Sequence, residues 1–232
     1  NWDEPIVYQS RRRDAHHDAV RRLLKDGGAY RCFCTVEELA KERDEAAKSK
    51  KLYRYSSRCR NISDEELKQR LNRADPFCLR LLIPNGKTKF TDAVYGPIEV
   101  DHKEIDDFII QRTDGTPTYN FTVVVDDLEM EINWVIRGED HLANTPKQII
   151  VYKALGSNPP KFSHLPMILG PNGQRLSKRH GATGVQEYRD IGVLPEGLLN
   201  YLALLGWSPG NDREVLGFSE LIKEFSLKKV IK

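Results

Sequence analysis

The sequence predicts an α/β fold around a parallel sheet, and three observations carry that expectation. Residues 119–125 and 132–136 are β-prone apolar runs, and each leads into a polar cluster, Asp126-Asp127 in one case and Arg137-Gly138-Glu139-Asp140-His141 in the other. Thr145-Pro146 then opens a helical pattern that closes at Gly156, with proline in the first turn, where its missing N–H is no loss. A short strand is expected over 165–169, so strand, charged loop, helix and strand succeed one another as in a parallel sheet. Ligands of such sheets bind beyond the carboxyl ends of strands, which makes both polar clusters candidate site residues.

The remaining elements follow in order. Residues 12–26 read as a helix with Ala15, Ala19, Val20, Leu23 and Leu24 on one face and Gly27-Gly28 at its end. Thr35 and Glu38 form a capping-box pattern that opens a charged helix to about Lys48, and Ser63 with Glu66 repeats the signal for a helix to about Arg73. Short strands are expected over 77–83, 87–91, 94–100 and 107–112, separated by Pro84-Asn85-Gly86 and Gly96-Pro97 turns. The tail reads as two helices, 195–206 ending at Gly206 and 219–225 after Ser219.

A chain of 232 residues is long enough for one large domain or two modest ones. Hydrophobic content of 39% beside 30% charged residues is that of a globular protein, and the longest apolar runs are too short to span a bilayer. A net charge of +2 gives no global field toward nucleic acid. The basic residues are uneven, however: Lys48, Lys50, Lys51, Arg54, Arg58 and Arg60 interleave with Tyr53 and Tyr55, either as a solvated loop or as an RNA-contacting stretch. Four cysteines do not make a disulfide framework in a chain this long, and Cys32, Cys34 and Cys59 cluster as metal candidates in a reducing, cytoplasmic setting.

Arg175-Leu176-Ser177-Lys178-Arg179 places three cations and a hydroxyl after a glycine-containing turn, a donor set suited to a polyanionic phosphate. The run resembles the K-M-S-K-S signature of class I aminoacyl-tRNA synthetases. Residues 114–127, Val135-Ile-Arg-Gly-Glu-Asp-His141, 176–182 and 198–207 resemble the bacterial-type glutamyl branch of that family, in the right order along the whole chain. The resemblance implies a Rossmann-like catalytic domain over 1–28 and 113–174 and an inserted α+β domain for the tRNA acceptor end over 29–112. The signature loop and the start of a helical stem-contact domain would occupy 175–232.

What it implies for function is ATP- and Mg²⁺-dependent formation of glutamyl-AMP, then transfer of L-glutamate to tRNA(Glu), by a monomer in the cytoplasm. Tyr119 and Arg137 match the glutamate pocket, and a guanidinium can hold a carboxylate bidentately. Glu139, Asp140 and His141 match positions near ATP and its ribose. Arg175, Leu176, Ser177, Lys178 and Arg179 match the phosphate loop, with Lys178 as the acting residue. Cys32, Cys34 and Cys59 match a zinc pattern. Its fourth ligand in some members is a histidine where Asn61 stands, and in others a tyrosine, which is Tyr55 here.

The sequence departs from the family in lacking the H-I-G-H motif. His16-His17 has no glycine and lies in an amphipathic helix, so the chain is expected to be an internal catalytic fragment with little adenylate-forming activity of its own. Two further readings remain: a relative that glutamylates a modified tRNA base, and a non-catalytic synthetase-like RNA-binding module. Intact Leu176-Ser177-Lys178-Arg179 and the tail through Trp207 favour the synthetase.

Overall fold

The computed structural model describes residues 5–169, 184–210 and 212–231, so the segment Arg175 to Arg179 lies outside the described residues. The chain divides into two compact units: Asn1–Lys89, Glu99–Ile132 and Asn144–Pro159 in the first, Phe90–Ile98, Asn133–Ala143 and Pro160–Lys232 in the second.

Along the chain run α1 (Arg13–Lys25), β1 (Ala29–Cys32), α2 (Val36–Lys48), α3 (Asp64–Asn72), β2 (Cys78–Leu81), β3 (Lys87–Asp92), β4 (Gly96–Asp101) and β5 (Ile109–Gln111). Then come α4 (Tyr119–Glu129), β6 (Trp134–Gly138), α5 (Thr145–Ala154), β7 (Lys161–Leu165), α6 (Val185–Asp190), α7 (Pro195–Leu204) and α8 (Phe218–Glu224).

In the first unit the strands form a three-stranded antiparallel sheet, β1-β2-β5, with Cys32 paired to Cys78. The 3.6-residue spacing expected of α1 buries His16, Val20 and Leu23, and Gly27 ends the helix at φ 75°, a conformation open to glycine without strain. Both capping signals are realised. Thr35 Oγ1 accepts from Glu38 N and Glu38 Oε2 accepts from Thr35 N, while Ser63 Oγ accepts from Glu66 N. α5 is buried on nearly all sides, including Gln148, Ile149, Ile150, Val151 and Tyr152.

One expectation fails in this unit. Residues 119–125 are not a strand but the opening of helix α4, which starts after Pro117-Thr118. Phe121, Val124 and Val125 stand at i, i+3 and i+4 and are all buried, so one apolar stripe faces the core. Fully burying side chains of this size stabilises by about 1.5–3 kcal/mol each, more than the few tenths that a β-branched residue loses in a helix. Asp126-Asp127 therefore sits in the last turns of a helix and not at a strand end. Its charges are met locally: Asp126 accepts from Gln9 Nε2 (2.8 Å), Arg12 Nε (2.7 Å) and His16 Nε2 (2.7 Å), and Tyr152 donates to Asp127 Oδ2 (3.2 Å).

The second unit contains the parallel pairing. β6 and β7 run in register from Trp134↔Lys161 to Gly138↔Leu165, and β3 joins the other side of β7 at Asp92↔Phe162. The strand expected over 165–169 thus lies earlier, and Pro166, which has no N–H to give a ladder, follows its last residue. α7 and α8 pack together over Trp207, Leu216 and Leu221. Among the described residues no helix is long and apolar enough to cross a membrane.

Candidate functional site

Among the described residues, each unit carries a constellation of chemically active side chains. In the second, Arg137 is the fourth residue of β6 and His164 is its register partner on β7, so parallel pairing puts both side chains on one face of the sheet. Arg137 Nε donates to His164 Nε2 at 3.2 Å. His164 is fully buried, and its Nδ1 lies 2.7 Å from Asp92 Oδ2 at the end of β3. Asp92 Oδ1 in turn accepts from the backbone N–H groups of Val94 and Tyr95, each at 2.9 Å, and of His164 at 3.3 Å.

The electrostatics follow from these bonds. Burial pushes the Asp92 carboxyl up, but the Tyr95 N–H and the His164 imidazole outweigh it and hold the group below its ordinary range. Burial drives the His164 imidazole down; Asp92 opposes this, while Arg137 and His141 add to it, leaving a neutral ring. Phe162 lies beneath, its ring stacked on that of His164 with centroids 6.3 Å apart and 5.8 Å from the Arg137 guanidinium carbon.

Beyond β6 the chain turns through Glu139, Asp140 and His141 in a 3₁₀ segment. Glu139 accepts from the Met167 N–H at 3.0 Å and from the Tyr95 hydroxyl, so it ties the connection between β3 and β4 and the segment after β7 to this turn. The bond to Glu139 pushes the Tyr95 phenol up to about 12, and the same bond holds the Glu139 carboxyl down. A Cβ added at Gly138 would stand 2.6 Å from Asp140 Oδ1, so that carboxylate would have to shift. Tyr119 belongs to the first unit, half exposed in the first turn of α4.

In the first unit the expected thiol cluster forms. One donor atom each from Cys32, Cys34 and Cys59 lie within 4.8 Å of one another. Cys32 is placed by β1, and Cys59 by a 3₁₀ turn over Arg58–Asn61. The Tyr55 hydroxyl is 3.1 Å from Cys32 Sγ and 3.5 Å from Cys34 Sγ, and Cys34 Sγ is 3.6 Å from Cys59 Sγ. Hydrogen bonds from Cys59 and Cys78 pull the Cys32 thiol down toward thiolate, while the same bond to Cys32 together with burial pushes Cys59 up. Burial, with the two thiols next, pushes the Tyr55 phenol up. Three sulfurs and a phenol oxygen converging in this way suit a divalent metal that prefers soft ligands.

Sequence reasoning missed the surroundings of this cluster. Arg58 Nε donates to Cys34 Sγ at 3.1 Å, and the guanidinium carbon of the buried Arg80 lies 3.7 Å from the Tyr55 ring centroid. Cys78 packs into the same cluster. These cations offset the negative charge that several thiolates would gather. The basic stretch is correspondingly less available than its composition suggests. Arg58 pairs with Glu38, and Arg60 pairs with buried Asp107, which also accepts from Tyr30, Ser57 and the Ile83 N–H. Lys48, Lys50 and Lys51 are exposed, with no ion pair among the described residues. The only local hint of Arg58 was its place beside Cys59; Arg80 and Cys78 reach the cluster through sheet pairing.

A family model described as tRNA synthetases class I (E and Q), catalytic domain, matches residues 1–232. A glutamate–tRNA ligase of Caldicellulosiruptor saccharolyticus is 50% identical over 240 residues, covering 100% of this chain and 50% of that protein. One of Aquifex aeolicus is 52% identical, covering 99% and 49%. Among solved structures, a glutamate tRNA ligase from Elizabethkingia meningosepticum, crystallised in complex with its amino acid, superimposes with a TM-score of 0.85 at 35% identity over 99% of this chain and 51% of that one. The chain spans about half the length of the curated relatives it matches.

Proposed function

This chain belongs to the class I tRNA synthetases for glutamate and glutamine, within their Rossmann-like α/β catalytic domain, and from that premise we propose that it serves ATP-dependent ligation of L-glutamate to tRNA(Glu). The observation that carries the reading is Arg137. It stands near the carboxyl end of a parallel strand, where such sheets bind ligands, with its Nε already held by His164. A guanidinium held at Nε has its plane set, and a planar guanidinium of fixed orientation suits pairing with a carboxylate.

In this reading Arg137 binds the carboxylate of glutamate, and Tyr119 is assigned to glutamate binding on its match to the family pattern alone. Glu139 holds the turn through which Asp140 and His141 approach ATP. Arg175, Leu176, Ser177, Lys178 and Arg179 would grip the triphosphate, with Lys178 acting most strongly as charge builds on the leaving pyrophosphate; that assignment rests on sequence alone. Mg²⁺ would accompany ATP. Segments 1–28 and 113–174 form the catalytic portion, 29–112 the acceptor-end insert, and 175–232 the beginning of the stem-contact portion. Lys48, Lys50 and Lys51 are the cations of the insert best placed for tRNA phosphates. The protein would act as a cytoplasmic monomer.

Cys32, Cys34, Cys59 and Tyr55 would hold Zn²⁺, which would supply a structural crosslink between β1 and the segment around Cys59. Tyr55 as fourth ligand is supported by its hydroxyl lying within reach of two of the thiols.

The test is ATP–pyrophosphate exchange by the full-length protein in the presence of tRNA(Glu). Exchange that requires glutamate and is not supported by glutamine is expected. Absence of glutamate-dependent exchange in a folded protein overturns the proposal.

A further inference from the structure

The hydrogen bonds that join His164 to Arg137 and to Asp92 fix where the imidazole carries its proton. Arg Nε–H is always a donor, and an ionised carboxylate is always an acceptor. His164 lies between one of each, with Arg137 Nε at 3.2 Å from Nε2 and Asp92 Oδ2 at 2.7 Å from Nδ1. The imidazole must therefore carry its proton on Nδ1 and a lone pair on Nε2; protonation of both nitrogens would set an N–H against an N–H. Asp92 is itself held by three backbone N–H groups and is 1% exposed, so its carboxylate is fixed before the ring meets it.

We propose that Asp92 and His164 are positioning residues for Arg137: Asp92 locks the imidazole in its Nδ1–H form, and the Nε2 lone pair then sets the direction in which the guanidinium meets a substrate carboxylate. This deepens the reading of Arg137 given above and rests on it. Arginine carries a long side chain with much rotamer freedom, and fixing it before substrate arrives removes that ordering cost from binding. Phe162 completes the setting, stacked on the ring of His164 and facing the guanidinium, so the fork is held from beneath as well as from its Nε side.

Asp92→Asn tests the lock with little change of shape. The Asn oxygen can still accept from Val94 and Tyr95, but its NH₂ now faces Nδ1, and the imidazole is driven to the Nε2–H form, which turns a donor toward Arg137. Imidazole ¹⁵N shifts of the full-length protein should report Nδ1–H in the unmodified protein and Nε2–H in Asp92→Asn. Glutamate affinity should fall about tenfold or more, with ATP affinity changed less than threefold. An unmodified protein with the proton on Nε2 overturns the proposal, and that measurement stands even if the variant does not fold. A switched tautomer with unchanged glutamate affinity overturns it as well. Arg137→Lys separates the two levels. If it leaves glutamate affinity intact, the substrate reading of Arg137 fails and the positioning role falls with it. If it weakens glutamate while Asp92→Asn switches the tautomer and does not, the positioning role alone fails.

Discussion

Substituting Asp126 separates the value of a carboxylate's charge from the value of its shape. The side chain is 11% exposed and accepts three hydrogen bonds, two of them from Arg12, whose side chain is 20% exposed, and His16, at 3%. In Asp126→Asn the amide oxygen can keep Arg12 and His16, both of which bond Oδ1, and Gln9 can reverse its own amide to meet the new NH₂. Shape survives and only charge assistance to Arg12 is lost, at about 1.5 kcal/mol. Asp126→Ala leaves His16 buried and unpartnered as well, and should cost about 3–4 kcal/mol, within the range for breaking a buried pair.

The charge component also has a pH signature. Burial raises the Asp126 pKa, but the bonds from Gln9, Arg12 and His16 outweigh it, so the folded value lies below the unfolded one of about 3.9. Its stabilisation is fully present above that unfolded value and is lost as pH falls through the folded one. The gap between the unmodified protein and Asp126→Asn should therefore be full at pH 7 and close below about pH 4. Urea unfolding followed by circular dichroism at both pH values measures this. Equal costs for Asn and Ala, or a gap that persists unchanged in acid, would refute the reasoning.

Cys59→Ala should abolish bound zinc in protein purified without chelator, and Tyr55→Phe should weaken zinc affinity at least about tenfold while leaving the ring against Arg80 in place. Elemental analysis decides both, and a metal-free unmodified protein ends the zinc reading. Lys178→Ala in the full-length protein should lower kcat by about 10²-fold or more with glutamate KM little changed. An equal loss in glutamate affinity argues against a phosphate role. Gly138→Ala should cost about 1–3 kcal/mol by pressing on Asp140. A thermal melt superimposable on that of the unmodified protein would show that the turn has room to spare.

Features that depend on neighbours in sequence were legible from the start. Thr35 with Glu38 and Ser63 with Glu66 announced their helices because a cap is a bond over three residues. The spacing of Cys32, Cys34 and Cys59 likewise announced a cluster. α4 was not legible, because Val123, Val124 and Val125 favour a strand locally, and only the burial of Phe121, Val124 and Val125 decides for a helix. Asp92 and His164 were invisible for a different reason. They are 72 positions apart, and nothing in Phe162-Ser163-His164 tells a core histidine from one that holds an arginine.

That separation has a kinetic side. The Cys34–Cys59 contact closes a span of 25 residues, the Asp92–His164 contact one of 72, so the second carries about 1 kcal/mol more closure entropy. It also depends on a parallel strand that the ribosome delivers late, whereas the thiols emerge together. A nascent chain can therefore assemble its thiol cluster before the bond between Arg137 and His164 can form. A chain halted downstream of Pro160 would then have its thiols gathered while Arg137 still lacked the bond to His164.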